Sequence, residues 1–166
     1  RANRARVATY CREREVLNAF AYTGAFAVYA LAAGATRVVN IDTSADALSR
    51  ASHHLALNSL PEQSVENVVG DVFAVLRQYR EADRQFDLII LDPPKFAYAR
   101  LQVEAACRGY KDINLLAMQL LRPDGILCSF SCSGLVSADL FQKVLFGAGV
   151  DAGRDMQILE KLSQAP

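Results

Sequence analysis

Two short segments carry side chains that could do chemistry together. One is Asp92-Pro93-Pro94-Lys95-Phe96, which follows the apolar run Leu88 to Leu91; the other is Phe130-Ser131-Cys132-Ser133-Gly134. A cysteine becomes a covalent nucleophile once it gives up its proton, and a carboxylate beside it can hold or move a proton on the group under attack. Cys132 is therefore the candidate nucleophile and Asp92 its acidic partner. Lys95 would favour the thiolate, because a nearby cation lowers a thiol pKa from about 8.5; a phosphate contact or a plain solvated charge are its other readings. Of the cysteines at 11, 107, 128 and 132, only Cys132 is expected at the carboxyl end of a strand. Cys128 falls mid-strand on the same face and reads as an inert core residue.

A third segment, Asn18-Ala19-Phe20-Ala21-Tyr22-Thr23-Gly24, is a candidate nucleotide-binding turn. A dinucleotide site needs several glycines so that backbone can approach a pyrophosphate. With one glycine, a ligand without that group fits better, held by backbone and by Asn18, Tyr22 and Thr23. Asp42 and Asp71 end the next two apolar runs. The first could accept both hydroxyls of a ribose and the second an adenine amino group, although either alone could be an ordinary turn residue.

These side chains need a scaffold of alternating strands and helices. Strands are expected at Val16–Phe20, Arg37–Asp42, Val65–Val69, Leu88–Leu91 and Ile126–Ser133, with a sixth at Met156–Leu162. Helices are expected from Ala25 to Ala33, after a cap at Thr43 or Ser44, from Val72 to Tyr79, from Val103 to Leu121, and from Ser137 through Leu145. Leu48, Ala51 and Leu55 recur at helical spacing, as do Ile113, Leu116, Ala117 and Leu120. Residues 1–14 have no clear period and read as an irregular or helical lead-in. The alternation predicts a doubly wound, mostly parallel α/β sheet. Asp42, Asp71 and Asp92 then stand at the carboxyl ends of three strands, where such sheets bind ligands. That is the layout of an S-adenosylmethionine site.

Length places the chain as one domain, residues 1–166. Eighteen basic residues balance eighteen acidic ones, which argues against a strong non-specific nucleic-acid binder. Arg1, Arg4, Arg6, Arg12 and Arg14 still crowd the start, as a solvated face or an RNA-contacting strip. No apolar run approaches the ~18 residues of a membrane span. Without a Cys-x-x-Cys pair, and with only His53 and His54, no metal site is expected. Free thiols and the lack of an apolar leader predict a cytoplasmic protein. The chain opens on Arg1, not Met, and reads as an excised piece.

The segments VLNAFAYTGAFAV (16–28), VNIDTSADAL (39–48), GDVF (70–73), FDLIILDPPKF (86–96), ACRGYKDINLLAMQLLRPDGIL (106–127), FSCSGLVSADLFQK (130–143) and DAGRD (151–155) resemble the class I methyltransferases. More closely, they resemble the RlmI-type 23S ribosomal RNA cytosine-5 methyltransferases. The resemblance implies a Rossmann-like fold, S-adenosylmethionine as cofactor, and 23S ribosomal RNA as substrate. It implies that Asn18, Phe20, Tyr22, Thr23, Gly24, Asp42, Thr43, Asp71, Val72 and Asp92 hold the cofactor. It further implies that Cys132 is the nucleophile, with Asp92 against the target base. Arg108 and Lys111 are candidate RNA backbone contacts, and Tyr110 a stacking or a packing residue. The family's N-terminal PUA-type RNA-binding domain is absent from this sequence, as is a final strand, so the fold is expected to be truncated at both ends. A homodimer is an expectation for the full-length parent. Two other readings stay open: methyl transfer to an exocyclic amino group centred on Asp92, which needs no cysteine, and a non-catalytic RNA-binding module.

Overall fold

The computed structural model describes residues 2–162. A short helix α1 (Ala2–Ala8) leads into β1 (Glu15–Ala19), α2 (Ala25–Ala32), β2 (Arg37–Asp42), α3 (Ala45–Leu57), β3 (Val65–Val69), α4 (Val72–Glu81), β4 (Phe86–Leu91), α5 (Val103–Gln119), β5 (Leu121–Ser129) and α6 (Ala138–Ala152). The five strands form one parallel sheet in the order β3-β2-β1-β4-β5. The sequence order reverses between β1 and β4, and this is the crevice in which open α/β sheets take ligands.

Both faces of the sheet are covered, and the two-residue period sorts the strand side chains between them. Leu17, Ala19, Val39, Ile41, Ile89 and Leu91 pack against α4 and α5, with Leu76, Ile113 and Leu116. Val16, Val38, Leu88 and Ile90 pack against α1, α2 and α3, with Val7, Phe26 and Leu55. A smaller apolar cluster of Ala97, Ala106, Tyr110 and Val136 sits under the loop after β4.

On the second face, polar groups interrupt the apolar rows. Asn18 Nδ2 donates to Asn40 Oδ1 at 2.8 Å, Asn40 Nδ2 to Asn67 Oδ1 at 3.0 Å, and Asn67 Nδ2 to Ser52 Oγ of α3 at 3.0 Å. Three strands are thus joined by a row of side-chain amides.

Three sequence expectations change. The fifth strand stops at Ser129, not Ser133, and begins earlier, at Leu121. It absorbs the Pro123-Asp124-Gly125 turn as an irregularity between Leu121 and Ile126, with Asp124 at φ 60°. Met156–Leu162 is not a strand; its apolar residues Met156, Ile158, Leu159 and Leu162 are exposed, with no neighbouring strand among the described residues to pair them. α6 runs past Leu145 to Ala152, because Gly149 is buried against Met118 and Met156, and the left-handed Gly153 ends the helix.

Candidate active site

The chain leaves β1 in a tight curl. Phe20, Tyr22 and Gly24 have φ of 59°, 48° and 72°, a region that non-glycine residues seldom enter. Hydrogen bonds hold them there. Ala21 N donates to Ile41 O at 3.0 Å, Gly24 N to Ala21 O at 2.8 Å, and Tyr22 N to Asp42 Oδ2 at 2.8 Å. The other oxygen of Asp42 accepts Ser44 N at 2.9 Å. Asp42 therefore clips the turn to the end of β2, a task the sequence did not reveal. Each carboxylate oxygen keeps a second acceptor position, so a ribose could still be bound. Gly24 is needed for space as well as for φ: a Cβ there would lie 2.5 Å from Ala51 Cβ of α3. His54, also on α3, bonds Thr23 O through Nδ1 at 3.0 Å. No side chain caps α2, which leaves the amides of its first turn open to an anion.

The other cofactor candidates divide. Asp71 caps α4, its Oδ1 accepting Ala74 N at 2.9 Å, with the second oxygen uncommitted. Thr43 is exposed beside Asp42. Val72 is 1% exposed and its side chain belongs to the core. Asn18 is 1% exposed, and its amide is turned into the row beneath the curl, with Oδ1 lacking a partner among the described residues. It supports the turn from below. Along the carboxyl edge of the sheet the acids run Asp71, Asp42, then, past the curl, Asp92.

On the other side of the crevice, a cleft of about 440 Å³ is lined by Lys95, Ser131, Cys132, Ser133, Gly134 and Val136. The last strand-like bond of β5 is Phe130 N to Leu91 O at 2.9 Å. Beyond it the serine hydroxyls take over. Ser133, 3% exposed, accepts Phe96 N at 3.2 Å and Ala97 N at 3.3 Å on its Oγ, which also lies 3.2 Å from Tyr110 Oη. Ser131 Oγ lies 3.1 Å from the same Tyr110 Oη and accepts Ser133 N at 3.3 Å. Side-chain hydroxyls of this kind compete with the ladder for backbone groups, which is why the strand ends early. The result lashes the Cys132 loop to the loop after β4. Cys132, exposed and three residues past the strand end, donates its S–H to Pro93 O at 3.0 Å.

Tyr110 is not a stacking group for RNA. It is 0% exposed and packs against Phe96 and Phe141, with ring centroids 4.6 Å and 5.2 Å away. Arg108 is paired with Glu104, and Lys111 with Asp151 at 2.7 Å, so neither cation is free to meet a phosphate without giving up a carboxylate.

Electrostatics inside the cleft oppose ionisation. Loss of hydration raises the Cys132 thiol above its ordinary value and the Asp92 carboxylate adds to this, whereas Lys95 pulls the other way. The cation expected to yield a thiolate is therefore outweighed, and the resting sulfur carries its proton. Asp92 is raised too, by loss of hydration, with Arg4 of α1 opposing. Its residue surface is exposed, yet the surrounding protein displaces enough bulk water to disfavour the charge. Arg4 was visible in the sequence only as one of five arginines. Cys128 is pushed up to about 12 and Cys11 to about 11, both chiefly by burial.

Comparison with known proteins supplies a family. The model of the S-adenosylmethionine-dependent methyltransferase family matches residues 1–163. Ribosomal RNA large subunit methyltransferase I of Tolumonas auensis is 54% identical over 165 residues, covering 99% of this chain. The chain spans 42% of that relative's length. Among solved structures, NSun6 from Pyrococcus horikoshii, determined with SFG, superposes with a TM-score of 0.74 at 18% identity, over 98% of this chain and 43% of that one. The SAM dependent methyltransferase from Agrobacterium tumefaciens does so with 0.68 at 22% identity, over 88% and 47%. At such identities the likeness is one of fold.

Proposed function

The chain belongs to the S-adenosylmethionine-dependent methyltransferase family, and from that premise we propose that it methylates carbon-5 of a cytosine in large-subunit (23S) ribosomal RNA through a covalent adduct at Cys132. The observation that carries the proposal is the contact of Cys132 Sγ with Pro93 O at 3.0 Å. It sets a thiol against the residue that follows Asp92, at the ends of two neighbouring strands.

The residues present fit the cofactor. One glycine and no phosphate cradle suit a nucleoside bearing an amino acid. Asp42 retains acceptor positions for ribose hydroxyls and Asp71 one for an adenine amino group. The uncapped amides of α2 suit a carboxylate, and Phe20, Tyr22, Thr23 and Thr43 surround the same turn. When bound, S-adenosylmethionine supplies an electrophilic methyl group.

Carbon-5 of cytosine is a poor nucleophile until sulfur adds to carbon-6. As the S–C6 bond forms, the electrons of the C5–C6 double bond move onto carbon-5, N3 and O2, and N3 takes a proton. A raised pKa suits Asp92 to hold that proton, and the thiol of Cys132 is its source. Carbon-5 then accepts the methyl group, leaving the bonding pair on the cofactor's sulfur as a neutral thioether. A base takes the carbon-5 proton, the C–H electrons restore the double bond, and the Cys132 sulfur leaves as a thiolate that regains its proton as N3 gives one up. Dividing one difficult step in two is the gain of covalent catalysis. The target base must leave its stack to reach the cleft. Work on ribosomal RNA would place the protein in the cytoplasm.

The test is RNA carrying 5-fluorocytosine, which has no proton to release at carbon-5. A complex that survives denaturation with wild type and vanishes in Cys132→Ala is expected. Normal methylation by Cys132→Ala would overturn the proposal. The second reading, transfer to an exocyclic amino group, is favoured by one observation: the resting thiol is protonated and held to a carbonyl, while Asp92 and Pro93 O could accept from an amine.

A further inference from the structure

The loop that follows β4 is held in place although most of it lies outside the core. Pro93 and Pro94 fix its first φ angles. Ser133 Oγ accepts Phe96 N and Ala97 N, and Gln102 Oε1 accepts Tyr98 N at 2.8 Å and Ala99 N at 3.1 Å. Two side-chain oxygens thus satisfy four successive backbone amides. Phe96 and Ala97 turn inward to the apolar cluster under the loop. Tyr98 does not: it is 75% exposed, and Leu101 is 98% exposed. Lys95 and Arg100 are exposed as well. Neither makes an ion pair among the described residues, whereas Arg108, Lys111 and Lys143 of the neighbouring helices all do. The loop therefore presents an aromatic ring to solvent with an uncommitted cation on either side of it in the chain, and the first of these cations lines the cleft.

We propose that this loop is a platform for the RNA strand beside the target, with Tyr98 stacked on a neighbouring base and Arg100 on a backbone phosphate. This rests on the RNA reading above. When the target base leaves its stack, the base next to it loses a stacking partner, and a ring held three residues beyond Lys95 can replace that partner. Aromatic side chains bind unstacked bases in this way whatever the sequence, because every base has a π-face. Cation, ring and cation along the loop match phosphate, base and phosphate along a strand. An apolar protein surface laid over Tyr98 would strip water from Lys95 and Arg100 without pairing them; a polyanion supplies the partners. Fixing the loop beforehand also spares the cost of ordering it on binding.

The experiment uses the protein in its natural full length and unmodified 23S ribosomal RNA made by transcription in vitro. Tyr98→Ala should raise the KM for RNA about 10- to 100-fold, the range for loss of one stacked base. Its kcat should be unchanged, because the contact is the same in ground state and transition state. Tyr98→Phe, which keeps the ring, should match wild type; Tyr98→Leu, which keeps only apolar bulk, should not. The ring is exposed, so the unfolding midpoint and the S-adenosylmethionine affinity should be those of wild type in all three. Arg100→Gln should lower the slope of log KM against log salt by about 0.7, the share of one phosphate on a single strand. If wild type methylates the RNA and Tyr98→Ala does so with the same KM, or if Tyr98→Leu serves as well as Tyr98→Phe, the inference fails and the RNA reading stands. If Tyr98→Ala keeps the RNA KM but splits a dimer seen by sedimentation, the inference is overturned and the loop is a contact between copies of the chain. If wild type methylates no base of the RNA, the RNA reading fails and takes the inference with it.

Discussion

Replacing Gly24 by alanine tests whether the curl after β1 and the approach of α2 to α3 are one structural event. Two costs are expected. An alanine held at φ 72° pays about 1–2 kcal/mol for the left-handed region. Its Cβ would stand 2.5 Å from Ala51 Cβ and 3.3 Å from Ala51 Cα; these atoms are fixed to a helix backbone and cannot swing aside. Overpacking of that kind costs about 1–3 kcal/mol. The sum, about 2–5 kcal/mol, is a large part of the ~5–15 kcal/mol that holds a domain folded. Ala51→Gly removes only the second term and costs about 1 kcal/mol of helix propensity by itself. In urea unfolding followed by circular dichroism, the double variant should therefore be more stable than the sum of the two single changes, by about 1–3 kcal/mol. Additivity within about 0.5 kcal/mol would mean that α2 and α3 do not meet at Gly24, and the packing described beneath the candidate cofactor turn would be wrong.

Alkylation of Cys132 by iodoacetamide, followed against pH, should have its midpoint above the ~8.5 of a free thiol; Asp92→Asn, which removes a charge that raises the pKa, should move it down, and Lys95→Ala should move it up. An opposite ordering would contradict the electrostatics of the cleft. Ser133→Ala strands Ala97 N in the interior, and should cost about 1–3 kcal/mol in urea unfolding, the range for one unsatisfied buried group; a loss below about 0.5 kcal/mol would mean that the lash is not formed. Glu66 is held below the ordinary carboxylate range, first by its hydrogen bond to Arg84 and also by Arg37. Its contribution is whole above the unfolded pKa near 4.3 and fades as pH falls through the lower folded value, so Glu66→Gln should flatten the acid limb of the stability curve. Asp71→Ala should cost about 1 kcal/mol for the lost cap of α4, read from the same unfolding midpoints.

Much of the scaffold could be read in the residues. β2 and β3 fall where periodicity puts them, and β1 and β4 start within two residues of expectation, because buried parallel strands are short apolar runs with charge or turns at their ends. The acids at 42, 71 and 92 follow from the same reasoning. The end of β5 could not be read this way. Ile126 to Ser133 alternates like a strand, and what halts it is the hydroxyls of Ser131 and Ser133, which bond backbone N–H groups and are held by Tyr110 of α5, about twenty residues away. The apolar residues of 156–162 likewise look like a strand, but they pair with no strand among the described residues. Charge balance within the cleft was also hidden: Lys95 stands beside Cys132 as expected, yet desolvation and Asp92 outweigh it. Lys111 looks like a free cation in the sequence because Asp151, forty residues on, meets it only once α5 and α6 are packed, whereas the i,i+4 spacing of Glu104 and Arg108 was there to be read.

The row of amides from Asn18 through Asn40 to Asn67 bears on how the chain finds its one alignment. Strands covered on both faces are apolar nearly throughout, and sliding one past its neighbour by two residues returns every side chain to the face it left. Greasy contacts alone distinguish such slips poorly. Amides do distinguish them. A two-residue slip of β2 sets Val38 opposite Asn18, and a buried amide then loses its partner at about 1–3 kcal/mol; the same mismatch recurs between β2 and β3. The pairs are 22 and 27 positions apart in the chain, so nothing local could supply the choice. An Asn40→Leu chain could keep most of its stability and still lose uniqueness, folding to a mixture of offsets in which Asp42 no longer arrives opposite the turn it must clip.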